Sequence, residues 1–388
     1  MSPRKTAFAF SFLLIAGCSE VQPARADNTI PADTPQLPAA AQGAGPQHPG
    51  IHRYLREQVA QDAFRGVVLV ARGDRVLHRA AYGEADIDAG TPNTPDTAFL
   101  IGSLTKSFTA TTVMQLVEAG SLDLQAPITR YLPGIDRRLG DRLTLHLLLK
   151  QRSGLPSHLE DIAPQGDEEA TSADLLALIN RAQFRFTPGS RHEYSNLNYH
   201  LAALVIESVT KQTFAQVLQA RTFTPLGMTR SGTEAYADPA PHRALGYRKT
   251  FGGWRHDENN ISYTLGSGDI YATVDDLLLW SRALDDPRYL SHASRDTMFD
   301  GGDEANGWYG YGFRIQPYRR ADGSTGRLAR HGGSMDGFLS NLHRYLDDDL
   351  TVIVLGNQRP FEIRDVTQNI KALALGIPAN TRETSGME

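Results

Sequence analysis

The stretch FLIGSLTKSFTATTVMQLVEAG, residues 99–120, constrains this chain more than any other. It reads as a buried helix, yet it carries Lys106, the only charged side chain between Phe99 and Val117. An ammonium in apolar surroundings loses its hydration and tends to lose its proton with it. Ser103 stands three residues earlier, on the same helix face. Gly102 lets the backbone turn closely into the helix, and the first amides of a helix are unpaired donors beside that serine. A neutral amine one turn from a hydroxyl can take its proton and make a weak nucleophile strong. The competing description is a capping serine followed by a lysine that snorkels to the surface. The S-x-x-K pattern alone leaves both open, and the charge-free helix adds weight to the first.

Two further motifs bear on that choice. Tyr194-Ser195-Asn196 stands just before an apolar run at helical spacing: Leu197, Leu201, Leu204, Val205 and Val209. A phenol near an amine can relay protons, and an amide side chain can hold a substrate peptide group at both its ends. Taken alone, the triplet reads first as a capping turn. His331-Gly332-Gly333-Ser334 closes a late strand. Paired glycines clear a strand edge so that a substrate backbone can lie against it; in isolation they read as a turn.

The rest of the chain supplies a frame. IHRYLREQVA (51–60) is a short amphipathic helix, and GVVLVARG (66–73) and RVLHRAAYG (75–83) are strands about a tight turn at Gly73-Asp74. A mostly helical lobe covers about 105–265, and TVDDLLLWSRAL (273–284) opens on an N-cap candidate, Thr273, with acids in its first turn. Strands are expected again at 308–315, 327–333, 340–347 and 350–357, then a helix over 361–375. Strands at both ends with helices between predict one antiparallel sheet into which a helical lobe is inserted. The class is α+β.

The order S-x-x-K, Y-x-N, then a basic residue before Gly-Gly resembles the serine β-lactamase and penicillin-recognising D,D-peptidase superfamily. The class C β-lactamase-related branch, with its peptidases and esterases, is the nearest match. The resemblance runs from about residue 50 to 375 and takes in LTLHLLLKQRSGLP (143–156) and GSGDIYATVDDLLLW (266–280). It implies a β-lactamase/transpeptidase-like αβα sandwich, an antiparallel sheet flanked by helices, with the site at its seam with an all-helical lobe. By position it implies Ser103 as the acylated nucleophile, Lys106 as its base or base partner, and Tyr194 as the shuttle to and from the leaving group. Asn196 would bind the acyl-side amide, and His331, Gly332, Gly333 and Ser334 would line the opposite wall. The backbone amides of Ser103 and Ser334 would form the oxyanion hole. The implied activity is hydrolysis of amides or esters, D-amino-acid peptides among them, with no metal or cofactor. A class C-like β-lactamase, or a penicillin-binding envelope protein that does not turn over, are the alternatives. Relatives active on penicillins usually carry Lys-Thr-Gly in the third motif; here His331 is largely neutral at pH 7 and Gly332 lacks a hydroxyl. A weaker grip on an anionic β-lactam is expected.

Arg4 and Lys5 precede the apolar run AFAFSFLLIA (7–16), the layout of a secretory signal and too short to span a bilayer. LIAGC (14–18) resembles the lipobox of bacterial lipoproteins, which implies removal of residues 1–17 and acylation of Cys18. A Pro/Ala-rich tether would follow over 18–48, the hydrolase domain over 49–376 and a flexible tail over 377–388. The expected location is the bacterial cell envelope, lipid-anchored and facing the periplasm; Ser19 is similar to that of lipoproteins sent to the outer membrane. A cut after Ala24-Arg25-Ala26 would instead release a soluble periplasmic or secreted protein. Cys18 is the only cysteine, so an internal disulfide and a thiolate metal cluster are excluded. A net charge of −5 over 388 residues, with no basic run beyond pairs, gives no sign of nucleic-acid binding. The expected partners are a small-molecule or peptide substrate and, through the anchor, a membrane; oligomeric state is left open. Three other motifs fail. GSLTKS has Thr105 where a phosphate loop needs glycine, His192-Glu193 meets Asn196 where a second zinc-binding histidine belongs, and Ile101 replaces the first glycine of a G-x-S-x-G elbow.

Overall fold

The computed structural model describes residues 45–166, 168–235, 239–257 and 260–377. The expected leader, Cys18, nearly all of the tether and nearly all of the tail lie outside them. Strands β1 (Gly66–Arg72) and β2 (Arg75–Tyr82) form the expected hairpin, with Gly73 at φ +53° in its turn, a conformation that strains any side chain. Late in the chain, β3 (Arg314–Arg319), β4 (Thr325–Met335), β5 (Phe338–Tyr345) and β6 (Leu350–Gly356) follow one another as a meander. All six make one antiparallel sheet in the order β3-β4-β5-β6-β1-β2. Its seam is β1 against β6, where Gly66 faces Gly356, Val68 faces Val354 and Val70 faces Val352.

Five helices matter to the site: α1 (Pro49–Ala60), α2 (Thr105–Glu118), α3 (Asn196–Thr210), α4 (Val274–Ala283) and α5 (Ile363–Ala374). β1 lacks polar alternation because both faces of the sheet are covered. Val68 and Val70 pack with Val352 and Val354 beneath Ile51 and Leu55 of α1 and Val366 and Ile370 of α5. Val67 and Leu69 belong, with Ile353 and Leu355, to the core shared with the helical lobe.

That lobe lies between β2 and β3 in the chain. Its entry and exit are tied together, because Phe99–Leu100 pairs antiparallel with Tyr271–Ala272. Arg79 of β2 adds a buried ionic tie, 2.5 Å from Asp275 at the start of α4 and 2.6 Å from Asp96. Thr273 caps α4 by accepting from the Asp276 amide, and Trp280 of α4 stacks on Phe108 of α2 with ring centroids 4.0 Å apart. Every residue of α2 from Thr105 to Leu116 is buried.

One expected strand is corrected. The 308–315 segment turns extended only at Arg314, and residues 308–313 form a loop wedged against α2. Tyr309, Tyr311 and Phe313 are all buried, so their period of two mimics a strand. Close approach to a helix replaces sheet pairing there. Gly312 has φ +72°, and a Cβ on it would sit 2.5 Å from Ser107 Cα and 2.7 Å from the Lys106 carbonyl oxygen. Gly312→Ala therefore combines a left-handed backbone with a collision against backbone atoms. A loss of about 2–4 kcal/mol in urea unfolding is expected, against a change within about 0.5 kcal/mol for Gly252→Ser, in an exposed turn with an ordinary backbone and no neighbours.

Candidate active site

Ser103 lies in a 3-10 turn, Gly102–Leu104, that leads directly into α2. Lys106 is one turn on and fully buried, so it does not snorkel. Its Nζ donates to Ser103 Oγ at 2.9 Å and to the Ser267 carbonyl at 2.8 Å. Burial holds its proton affinity well below that of an ordinary lysine, and the carboxyl of Asp269 opposes that shift. The Ser267 contact belongs to a segment laced along α2. Thr109 donates to the Gly266 carbonyl at 2.6 Å, and the Ile270 amide donates to Thr105 Oγ1 at 3.2 Å. Thr105, Lys106 and Thr109 therefore face residues 266–270 together.

The Tyr194-Ser195-Asn196 turn is more than a cap. Ser195 precedes α3 but makes no side-chain capping bond; its hydroxyl donates to the Pro156 carbonyl at 2.5 Å. Gln151, buried and in a left-handed conformation at φ +57°, accepts from the Ser195 amide at 2.9 Å and from Asn198 Nδ2 at 2.5 Å. The Asn196 amide donates to the Ser157 carbonyl at 2.8 Å. The QRSGLPS segment (151–157) thus clamps the turn from one side. The Tyr194 ring is brought 5.0 Å from Lys106 Nζ. Its hydroxyl is buried beside Ser103 without a hydrogen bond of good geometry. Burial, with Tyr309 close by, raises its pKa well above the ordinary phenol value. Tyr194 is a neutral phenol at any working pH. Asn196 Oδ1 is buried and unpaired, an acceptor in want of a donor.

The third motif runs along β4. A Cβ on Gly102, at φ +51°, would lie 2.8 Å from the Ser334 amide nitrogen, and one on Gly333 would lie 1.8 Å from the Ile101 carbonyl oxygen. Glycine at both positions lets the serine turn and the strand edge touch, and it brings the Ser334 amide beside Ser103. Ser340 Oγ fastens the joint by donating to the Ile101 carbonyl at 2.7 Å. His331 is turned inward and only 6% exposed. Its Nδ1 faces the Gly332 carbonyl at 2.6 Å and must donate; Nε2 therefore accepts from the Tyr309 hydroxyl at 2.9 Å. Burial, with Lys106 nearby, lowers its pKa to about 3, so the imidazole is neutral. The open surface of this wall is Gly332 and Ser334.

The structure thus brings together all eight residues expected in the site from Ser103 to Ser334. Three neighbours were not singled out from the sequence: Gln151, Tyr309 and Asp269. Each sits in a stretch that was noticed for another reason, and nothing local marks any of them as a site residue. The arrangement can take a proton from an alcohol, return one through a phenol, and hold an oxyanion between two amides.

The comparisons with known proteins agree with the geometry. Residues 51–375 match the Beta-lactamase family model. A D-aminopeptidase from Gluconobacter oxydans is 30% identical over 328 residues, 81% of this chain and 59% of that protein. A penicillin binding protein from Bacillus halodurans superposes with a TM-score of 0.72 at 28% identity, covering 83% of this chain and 98% of that one. The D-amino acid amidase from Ochrobactrum anthropi SV3 gives 0.70 at 25% identity over 84% and 96%. The chain belongs to the Beta-lactamase family and is a serine hydrolase.

Only the uncharged amine can accept a proton, so kcat/KM is expected to rise with pH through the Lys106 titration and then level. His331→Gln should leave that acid limb where it is, because His331 does not charge above about pH 3. Tyr194→Phe should lower kcat about 10²–10⁴-fold without moving the limb. The measurement is a pH–rate profile on one chromogenic ester for all three proteins.

Proposed function

We propose that this protein cleaves amide or ester bonds by forming and hydrolysing an acyl ester on Ser103. One observation carries the reading: a fully buried Lys106 amine 2.9 Å from a partly open Ser103 hydroxyl. Lys106 takes the Ser103 proton as Oγ bonds to the substrate carbonyl carbon. The carbonyl oxygen gathers charge between the amides of Ser103 and Ser334. As the bond to the leaving group breaks, the neutral phenol of Tyr194 donates to the departing nitrogen or oxygen and is re-protonated from Lys106. Water then enters, and the same two groups reverse the sequence. Asn196 holds the acyl-side amide of the substrate through its unpaired oxygen.

D-amino-acid amides or peptides are the preferred substrates. The printed activities of two relatives support this, D-aminopeptidase and D-amino acid amidase. So does the neutral His331, engaged at both nitrogens where a cation would hold a β-lactam carboxylate. A second reading, action on or trapping by a penicillin, has its own observation. The Arg314 guanidinium lies 5.4 Å from the Tyr309 ring centroid and donates to the Gly307 carbonyl at 2.6 Å, with no carboxylate partner among the described residues. We also propose that the enzyme works in the cell envelope, held by a lipid on Cys18 with a soluble periplasmic or secreted form as the alternative.

Intact-mass analysis of wild type and Ser103→Ala, after exposure to a fluorophosphonate and to a penicillin, tests the reading. Wild type should gain one fluorophosphonate adduct and the variant none; an adduct that survives in Ser103→Ala overturns the assignment. Release of p-nitroaniline from D-amino-acid anilides faster than turnover of a chromogenic cephalosporin is expected. A penicillin adduct that persists for hours favours the trap.

A further inference from the structure

We propose that Asp269 is the counter-charge of the candidate base: an ionised carboxylate that steadies the ammonium formed when Lys106 takes the Ser103 proton. This rests on the reading of Ser103 and Lys106 given above and adds a residue to it.

Asp269 is fully buried in the segment that Lys106 grips through the Ser267 carbonyl. One carboxylate oxygen accepts from the Gly266 amide at 2.8 Å, closing the turn. The other, Oδ2, is buried with no hydrogen-bond partner. A turn-closing role explains the first oxygen and leaves the second unexplained. A buried, unpaired carboxylate oxygen is costly unless a cation compensates it. Lys106, held two residues away at the Ser267 carbonyl at 2.8 Å, becomes that cation when it takes the Ser103 proton; no direct ion pair joins the two, and each group moves the other's titration toward the charged state. Burial raises the Asp269 pKa to about 7, so it ionises within the working range.

The other groups around Asp269 do not supply that charge. On α3, His200 donates Nδ1–H to the Leu265 carbonyl at 2.7 Å, and burial lowers its pKa to about 4. Glu207, also on α3, is a like charge that raises Asp269 further. Glu234, whose amide donates to the Asp269 carbonyl, is buried and already paired with Arg243 at 2.8 Å. On α2, Thr105 and Thr109 spend their hydroxyls on residues 270 and 266. Lys106 stands alone as the mobile charge.

In the step itself the Ser103 O–H bond breaks and an N–H bond forms on Lys106, while Oγ bonds to the electrophile. Asp269 gives and takes no proton. Its charge makes the ammonium less costly in a dry site, and it also makes the resting amine harder to keep neutral. Asp269 is therefore a positioning residue whose removal pulls on two observables in opposite senses.

The test is the second-order rate of inactivation by an uncharged fluorophosphonate between about pH 5 and pH 10, for wild type, Asp269→Asn and Ser103→Ala. The probe reports activation of Ser103 without needing the natural substrate. Asp269→Asn should move the acid limb down by about one pH unit or more, because an amine without a neighbouring anion holds its proton less tightly. Its plateau should fall about 10- to 100-fold, because the ammonium is no longer compensated. A merely structural residue would lower the plateau and leave the limb in place; that result overturns the proposal. Asp269→Ser, smaller and likewise uncharged, repeats the measurement should the asparagine variant fail to fold. If neither folds while Ser103→Ala does, Asp269 is a scaffold residue and the proposal falls. Labelling of Ser103→Ala would instead sink the nucleophile assignment, whatever Asp269 does.

Discussion

A primary amine with no water around it is the constraint on which the rest of this molecule is arranged. Stripping an ammonium of solvent costs several kcal/mol even after relaxation. Lys106 can sit where it does only because it is spared that cost as a neutral base and because its few polar contacts are placed for it. Those contacts come from different parts of the chain. Ser103 is in the turn that opens its own helix, Ser267 belongs to the segment entering α4, and the rings of Tyr194, in the turn before α3, and Tyr199, on α3, lie 5.0 and 5.9 Å away. The amine is the point at which three elements of the helical lobe are obliged to agree.

The sheet enters the same point from the other side, by contact so close that side chains are excluded. Gly102 and Gly333 bring the serine turn against the edge of β4, and Gly312 brings the loop before β3 against α2. Between them stands an aromatic and imidazole wall, Tyr194, Tyr309 and His331, with ring centroids 5.9 to 6.4 Å apart and every titratable group held uncharged by burial. In this wall His331 donates a hydrogen bond to its own neighbour's carbonyl and accepts one from a tyrosine. The three ring side chains of this wall therefore bring no formal charge to the site.

Much of this was legible in the residues. The absence of other charge from Phe99 to Val117 predicts a buried lysine, and the hairpin at Gly73 and the cap at Thr273 are local signals with local causes. The three motifs could be brought together only through a family resemblance, since spacing cannot show that residues 103, 194 and 331 meet. What was not legible depends on tertiary contact. Tyr309, Tyr311 and Phe313 alternate as a strand would, yet their backbone is held off the sheet by a glycine packed on a helix. Gln151 adopts a left-handed conformation and turns its side chain to two donors, the Ser195 amide and Asn198, more than forty residues on, and no neighbour in sequence announces this. Asp269 reads as one more polar residue in a glycine-rich turn until the orphan oxygen and the nearby amine are seen together.

The pairing of β1 with β6 has a consequence for how such a molecule is made. The two strands that meet at the seam of the sheet are the ones farthest apart in the chain, Gly66 beside Gly356. During synthesis from the N-terminus, the first hairpin waits with a bare edge while nearly three hundred residues follow. A lone two-stranded ribbon is marginal in water, and contacts of such long range make folding slow. The sheet can close only when almost the whole chain is present. Until then the first hairpin has only half of its sheet neighbours, and the serine turn has no strand edge to rest against.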